Sequence, residues 1–376
     1  MAFLPGVGYA ATTLPLRVSD VPELSADPHC QTVPLAEFTT LRLGGPAHRL
    51  LAPTSAEEIA QSVRDATVDG ARTLVLGGGS NVVIADQGFP GTVILVRSRG
   101  IRVTGMHGDT VTIEVAAGEP WDEVVTTAVT ADWSGLECLA GIPGSAGATP
   151  MQNVNAYGQE VAETITAVEV LDRVSGTVSR MGPTECRFGY RSSLFRGSDR
   201  WVVLSVEFRL RRSPASAPVR YPELARALGV ELGAQAPLAE VRQAVLGLRA
   251  GKGMLLDPAD PDSCSAGSFF INPVLTADEV TRLRGRLDGA PEPSLHATAD
   301  GRFKVSAAWL IERAGFAKGY GLGAVSISSK HALALTNRGG GSSEELLRLA
   351  RQIRDGVRAR FGVTLVPEPV LVECQL

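Results

Sequence analysis

The sequence predicts an α+β protein of two or three domains, and three observations carry that reading. Its 376 residues, at roughly 150 per domain, leave ample length for buried cores. The first half is built from many short β-rich runs, whereas helical periodicity strengthens beyond the Pro/Ser/Ala-rich stretch that ends at Pro218. Two glycine-rich tracts, 77–81 and 141–158, break the first half at strand ends.

Residues 1–30 carry Pro5, Pro15, Pro22 and Pro28 without periodicity and read as an extension. Ser55 with Glu58 forms a capping-box signal, and Ile59, Val63 and Ala66 follow at helical spacing until Gly70. Thr73–Leu76, Val82–Ile84, Thr92–Val96 and Thr110–Ala116 read as strands, and Trp121–Ala131 as a helix. Strands are expected again at Ala167–Asp172 and Trp201–Leu210. In the second half Leu238–Leu248, Ala277–Leu287 and Ala307–Ala314 read as helices. Ser342 and Glu345 box a last helix whose apolar face is Leu346, Leu349, Ala350, Ile353 and Val357, closed by Gly362 and followed by an expected strand, Val363–Val366.

Composition narrows the function. Lys and Arg total 36 against 40 acidic residues, and a net charge of −4 removes the electrostatic case for a general nucleic-acid or membrane-surface partner. Five scattered cysteines without a C-x-x-C pair, and five equally scattered histidines, predict reduced thiols and no metal site. Met1–Ala11 lacks a basic n-region, and no apolar run approaches the roughly 20 residues of a membrane span, so a cytoplasmic protein is expected.

Gly77-Gly78-Gly79-Ser80-Asn81 lets backbone approach an anion and point N–H groups at it, but it is neither a Walker loop nor a full G-x-G-x-x-G, and a tight turn explains it equally well. The tract Gly141–Gly158 is more informative. It lacks Lys and Glu, and its small residues with Gln152, Asn153 and Asn155 suit a ring system and sugar hydroxyls. Tyr190-Arg191 sets a phenol beside a guanidinium able to grip a carboxylate, against the alternative of a surface Arg with a core Tyr. Ser268 lies between Gly267 and two phenylalanines, without the G-x-S-x-G context of a serine hydrolase. Arg249 and Lys252 are two cations for phosphates or for solvent. Glu368, between Pro367 and Pro369, is a carboxylate on a stiff stalk or an edge-strand residue.

Taken in order, GGGSN at 77–81, GIPGSAGATPMQNVNAYG at 141–158, CRFGYRSS at 186–193, RAGKGM at 249–254, AGSFFINP at 266–273, AAWLIERAGFAKGY at 307–320 and LVPEP at 365–369 resemble the UDP-N-acetylenolpyruvoylglucosamine reductase family, from about residue 33 to the end of the chain. The resemblance implies an FAD-binding region of vanillyl-alcohol-oxidase type made of two α+β subdomains, 31–100 and 101–212. A smaller α+β substrate domain would follow at 213–364, and a C-terminal segment, 365–376, would bear the catalytic glutamate.

It further implies FAD as cofactor and NADPH as co-substrate, with the enolpyruvyl group of UDP-N-acetylglucosamine enolpyruvate reduced to UDP-N-acetylmuramate for peptidoglycan. Residues implied to hold FAD are Gly77, Gly78, Gly79, Ser80, Asn81, Pro143, Gly144, Gly147, Gln152, Asn153, Tyr157 and Gly158. Arg191 matches the catalytic arginine, Ser268 the proton donor and Glu368 the catalytic glutamate. Tyr190, Tyr221, Lys252 and Asn272 fall at substrate positions, with Lys330 and His331 near them. Arg191 would stabilise negative charge on the substrate carboxylate, Ser268 would protonate the adjacent carbon, and Glu368 would pair with Arg191 or orient the enol. A monomer is expected.

Asn155 departs from the glycine common in the family, and asparagine tolerates the positive φ a turn there would need. Two other readings remain at this stage, an FAD-dependent oxidase of the same superfamily and a non-catalytic nucleotide-sugar binder. Oxygen consumption would reveal the first, and a colourless protein the second.

Overall fold

The computed structural model describes residues 33–376 apart from positions 290 and 299; the expectation for residues 1–30 lies outside the described residues. Strands Ala47–Leu51 and Thr73–Leu76 flank Phe89–Leu95 in a three-stranded parallel sheet. The second half of the central strand is apolar, with Val93, Ile94 and Leu95 fully buried in succession, as expected where both faces of a parallel sheet are covered. The crossover between the outer strands is the helix Ala56–Val68, whose Ile59, Ala60, Val63 and Ala66 face the core. Ser55 caps it by accepting from Glu58 N at 3.1 Å. The return arm of the box goes one residue further back: the Glu58 carboxylate accepts from Thr54 N at 2.7 Å.

The second layer is an antiparallel sheet in the order Val178–Met181, Ile165–Asp172, Trp201–Arg212, Thr110–Ala116, Ile101–His107, with Trp133–Ser134 added beside Trp201–Arg212. Thr110–Ala116 alternates half-buried and buried positions along its length, the period-two pattern of a strand with one face in the core. Helix Trp121–Thr130 buries Trp121, Val124, Val125 and Ala128 there. The Trp121 indole N–H donates to Leu139 O at 3.0 Å, so the largest core side chain leaves no orphan donor. Helices Pro222–Leu228 and Leu238–Gly251 pack into this same core through Leu224, Ala225, Val241 and Val245.

A separate core is centred on helix Ser343–Phe361. Its capping box is complete, with Ser342 Oγ accepting from Glu345 N at 3.1 Å and the Glu345 carboxylate accepting from Ser342 N at 3.0 Å; Gly362, at φ 73°, closes it. Each of its buried Leu and Ile side chains contributes about 1.5–3 kcal/mol of apolar burial. Beside it run the strands Ser265–Ser268, Ala334–Asn337, Val325–Ile327 and Gly321–Leu322, and a small sheet of Val274–Leu275, Phe303–Val305 and Leu295–Ala297.

The strand expected at Val363–Val366 does not form. The chain there is irregular and pairs only at Pro367, a single antiparallel bridge to Phe270. The C-terminal strand is instead Val370–Val372, parallel to Val82–Ile84 directly after the first glycine loop. Among the described residues no helix is long and apolar enough to cross a membrane.

Candidate active site

The two glycine tracts meet face to face. A Cβ at Gly78 would lie 2.6 Å from Gly144 Cα, one at Gly77 2.6 Å from Ser145 Oγ, and one at Gly144 2.7 Å from Ser80 Oγ. Only residues without side chains permit this seam. Gly79 adds a positive φ of 60° and would drive a Cβ to 1.9 Å from Phe38 O. Neighbouring backbone pins the seam: Thr40 N donates to Gly79 O at 3.1 Å, Trp121 N to Gly144 O at 3.0 Å, and Gly147 N to Ala117 O at 2.9 Å. Among the described residues the N–H groups of Gly77 through Asn81 have no acceptor, so they form a neutral, donor-rich edge on the cavity beside them.

That cavity measures about 1310 Å³. It exceeds the 300–1,000 Å³ or so typical of a single small-ligand pocket and has room for two ligands. Gly77–Asn81, Pro143, Gln152, Tyr157, Gly158, Tyr190, Arg191, Tyr221, Lys252, Ser268, His331 and Glu368 all reach it. Gly144 and Gly147 lie behind the wall as packing glycines. Asn153 is also behind it: buried at φ 47°, it donates to Glu160 Oε2 at 2.8 Å and Gly189 O at 3.1 Å and accepts from Ala162 N at 3.1 Å. Its amide is wholly used in bracing the second tract. Asn272 sits one layer back, accepting from Ala307 N at 2.9 Å and meeting the Tyr190 hydroxyl. Lys330 is tied to Asp260 at 2.8 Å. Asn155 is ordinary strand, and the positive-φ residues of the tract are Asn153, Tyr157 and glycines.

The chemical end is assembled from three distant stretches. Gly189 and Ser192 exchange backbone hydrogen bonds of 2.9 and 3.2 Å, making a two-residue turn with Tyr190 and Arg191 at its tip. Arg191 has φ 48°, a left-handed conformation costing a non-glycine residue about 1–2 kcal/mol, the kind of local strain that clusters at functional sites. Segment 366–368 pairs with 269–271: Ile271 N donates to Val366 O at 3.0 Å and Glu368 N to Phe269 O at 2.8 Å. Ser268, ending its strand beyond the bulge at Gly267, is thereby brought beside Glu368.

The Glu368 carboxylate, 10% exposed, lies 3.4 Å from Arg191 Nε and accepts from Gln152 Nε2 at 3.1 Å. Burial raises its pKa above the ordinary carboxylate value, opposed by Arg191, Arg196 and Gln152. Because Glu368 takes the Nε side of Arg191, the two terminal nitrogens are left to grip a second carboxylate.

At the far side Lys252 pairs with Glu223 at 2.6 Å and lies 5.6 Å from the Tyr157 ring centroid, while Tyr221 meets Tyr157 edge-on at 5.5 Å. Burial, then Lys252 and Lys318, push the His331 pKa down to about 4, so its imidazole is neutral at physiological pH. Arg249 is mostly a brace, donating to Gly141 O and Met254 O at 3.1 and 3.0 Å. Arg173, Arg196 and Lys304 are further cations that reach the cavity and that sequence reasoning did not single out. Lys304 stands 4.8 Å over the Tyr190 ring, and Arg196 donates to the Arg191 carbonyl. For Arg196 a signal was present, since it shares a short loop with Arg191; for Lys304 none was.

Comparison with known proteins bears on this geometry. The FAD binding domain family matches residues 47–182, which span both glycine tracts. The glycine seam and its donor-rich edge fit that cofactor, because close backbone approach and unpaired N–H groups suit a pyrophosphate without requiring a basic side chain. The C-terminal domain of UDP-N-acetylenolpyruvoylglucosamine reductase matches residues 258–372, the stretch carrying Ser268 and Glu368. The UDP-N-acetylenolpyruvoylglucosamine reductases of Salinispora arenicola and Thermobifida fusca are 61% and 54% identical to this chain, covering 96% and 91% of it and 100% and 97% of their own lengths. The crystal structure of the Thermus caldophilus reductase superimposes with a TM-score of 0.63 at 26% identity, over 91% of this chain and 98% of that one. With identity this high along nearly the whole length, the chain belongs to the UDP-N-acetylenolpyruvoylglucosamine reductase family.

Proposed function

We propose that Arg191, Ser268 and Glu368 together perform the reduction of UDP-N-acetylglucosamine enolpyruvate to UDP-N-acetylmuramate, the activity of this FAD-dependent, NADPH-using family in peptidoglycan precursor synthesis. One observation carries the assignment: three residues far apart in sequence converge on one cavity that is also walled by both glycine loops. FAD, bound against Gly77–Asn81, Pro143, Gln152, Tyr157 and Gly158, supplies the hydride chemistry at its ring.

The protein's part is electrostatic and protic. Arg191 presents its terminal nitrogens to the substrate carboxylate and stabilises the negative charge that develops there when hydride reaches the enolpyruvyl methylene carbon; a preorganised donor of this kind contributes several kcal/mol. The Ser268 hydroxyl then gives its proton to the carbon bearing the carboxylate, a step an enolate is basic enough to draw from a serine. Glu368 holds the Nε side of Arg191 so that the guanidinium cannot rotate away. Lys252 and Tyr221 meet the UDP moiety, and Tyr190 faces the substrate with Asn272, expected on the uridine-diphosphate side, supporting it from one layer back. In that role Lys252 exchanges Glu223 for the diphosphate. A single cavity receives NADPH and the UDP-sugar in turn, as a monomer in the cytoplasm with no nucleic-acid or membrane partner.

Anaerobic absorption titration tests the scheme. In Ser268→Ala, NADPH should still bleach the bound flavin, while reoxidation by the enolpyruvyl sugar should slow by about three orders of magnitude, the range of a lost general acid. Equal slowing of both halves would sink the serine assignment.

A further inference from the structure

We propose that Arg196 is a positioning residue for the reaction: by clamping the carbonyl of Arg191 it holds that residue in its left-handed turn and aims the Arg191 guanidinium into the cavity. The inference rests on the reading of Arg191 as the carboxylate-binding group.

The turn that carries Arg191 is under-held by itself. The Gly189–Ser192 exchange closes it and Asn153 Nδ2 braces its base at Gly189 O, but among the described residues neither reaches the Arg191 carbonyl, and the position that ordinarily takes glycine or asparagine bears an arginine with φ 48°. A residue in that conformation keeps it only when its surroundings over-determine it. The Arg196 guanidinium supplies the missing restraint by donating from Nη1 to Arg191 O, a charge-assisted bond of about twice the strength of a neutral one.

The clamp is anchored at its base. Between the two arginines, Phe195 is fully buried, Ser193 Oγ donates to Met151 O at 2.6 Å and Leu194 N donates to Cys186 O at 2.8 Å. Arg196 therefore pulls against a fixed point tied to the second glycine tract. Its charge also bears on Glu368, where it acts with Arg191 in favour of the ionised carboxylate that grips Nε. A lysine at 196 would keep the charge and reach one acceptor, whereas methionine would keep only the stem.

The test compares Arg196→Met, Arg196→Lys and Arg191→Met as FAD-loaded proteins under anaerobic stopped flow, together with calorimetric binding of UDP and of UDP-N-acetylmuramate. For Arg196→Met the expectation is flavin content and bleaching by NADPH within about twofold of wild type, with reoxidation by the enolpyruvyl sugar slowed about 30-fold, the scale of a lost charge-assisted bond. UDP should bind unchanged, whereas UDP-N-acetylmuramate, which carries the carboxylate, should bind about tenfold more weakly. Arg196→Lys should recover most of both losses. Wild-type reoxidation in Arg196→Met beside a slow Arg191→Met overturns the inference, as does loss of flavin or an equal slowing of both half-reactions. Fast reoxidation in Arg191→Met would overturn the reading of Arg191 and the inference with it.

Discussion

Along the glycine seam the backbone does the holding. Gly77, Gly78 and Gly144 lie so close that added Cβ atoms would collide with the facing loop, and the wall offers neutral N–H groups. On the rest of the lining side chains do it: Arg191, Glu368, Gln152 and Arg196 form a chain of charged and amide contacts, and Lys252 pairs with Glu223. The first arrangement suits a ligand that stays. Fixed dipoles need no reorganisation, and they hold pyrophosphate without a mobile counter-ion. The second suits ligands that come and go, since Lys252 is already paired with Glu223 in their absence and can exchange that carboxylate for a phosphate, while Arg191, held by Glu368 at Nε, keeps its terminal nitrogens for an incoming carboxylate. The near-neutral net charge of −4 is consistent with this, the anionic substrate being met by a few placed cations rather than a basic surface.

Forcing the glycine seam open is the largest expected effect. Gly78→Ala puts a methyl 2.6 Å from Gly144 Cα and forces the loops apart. Overpacking of this kind costs about 1–3 kcal/mol, so flavin affinity should fall by roughly tenfold to a hundredfold, read as flavin lost on gel filtration. Ser268→Ala should keep its flavin. A Gly78→Ala protein that holds FAD normally would break the claim that the seam is the cofactor's seat.

A smaller effect comes from His331 on the cavity wall, within reach of the Lys252 charge. Its pKa falls from 6.5 to about 4 in the folded protein, chiefly through burial. The unfolded chain therefore binds the proton more readily between those values. The stability this contributes is complete above about pH 6.5 and is lost as pH falls toward 4. The ceiling is about 3 kcal/mol, reduced by partial exposure. Melting temperatures at pH 7.5 and 5 should diverge more for wild type than for His331→Gln; identical divergence would remove His331 from the account.

Local signals were readable and paired ones were not. The 343–361 helix could be drawn from Ser342, Glu345, its apolar stripe and Gly362, because every determinant lies within the element. Val363–Val366 has strand composition too, but a strand exists only if a partner accepts it, and the partner available at Val82–Ile84 takes Val370–Val372 instead. Ser268 and Glu368 were found as motif residues, yet nothing within either motif says that Glu368 N bonds to Phe269 O and sets the two side by side. Lys304 carries no local mark, and for Arg196 the nearness to Arg191 in the chain does not say which carbonyl it reaches. Asn153 is hidden in the sequence for the same reason: only the fold shows that its side-chain donors and acceptor are taken by Glu160, Gly189 and Ala162.

The smallest effect concerns Asn155. A turn needing positive φ there would favour glycine, and Asn155→Gly would then stabilise the protein. The hairpin places its turn elsewhere. Asn155 faces Glu160 and Ala156 faces Gln159 across an antiparallel pair, and the two loop residues are Tyr157 at φ 48° and Gly158 at φ 82°. Two consecutive positive values make this the mirror-image turn that matches strand twist, with glycine in its second position. Asn155 is thus a strand residue. Glycine there should cost about 0.5–1 kcal/mol in backbone entropy, lowering the melting temperature by no more than a few degrees and leaving flavin content intact. A rise in melting temperature would place the left-handed residue at 155 and shift the hairpin register, moving Tyr157 off the wall it shares with Lys252 and Tyr221.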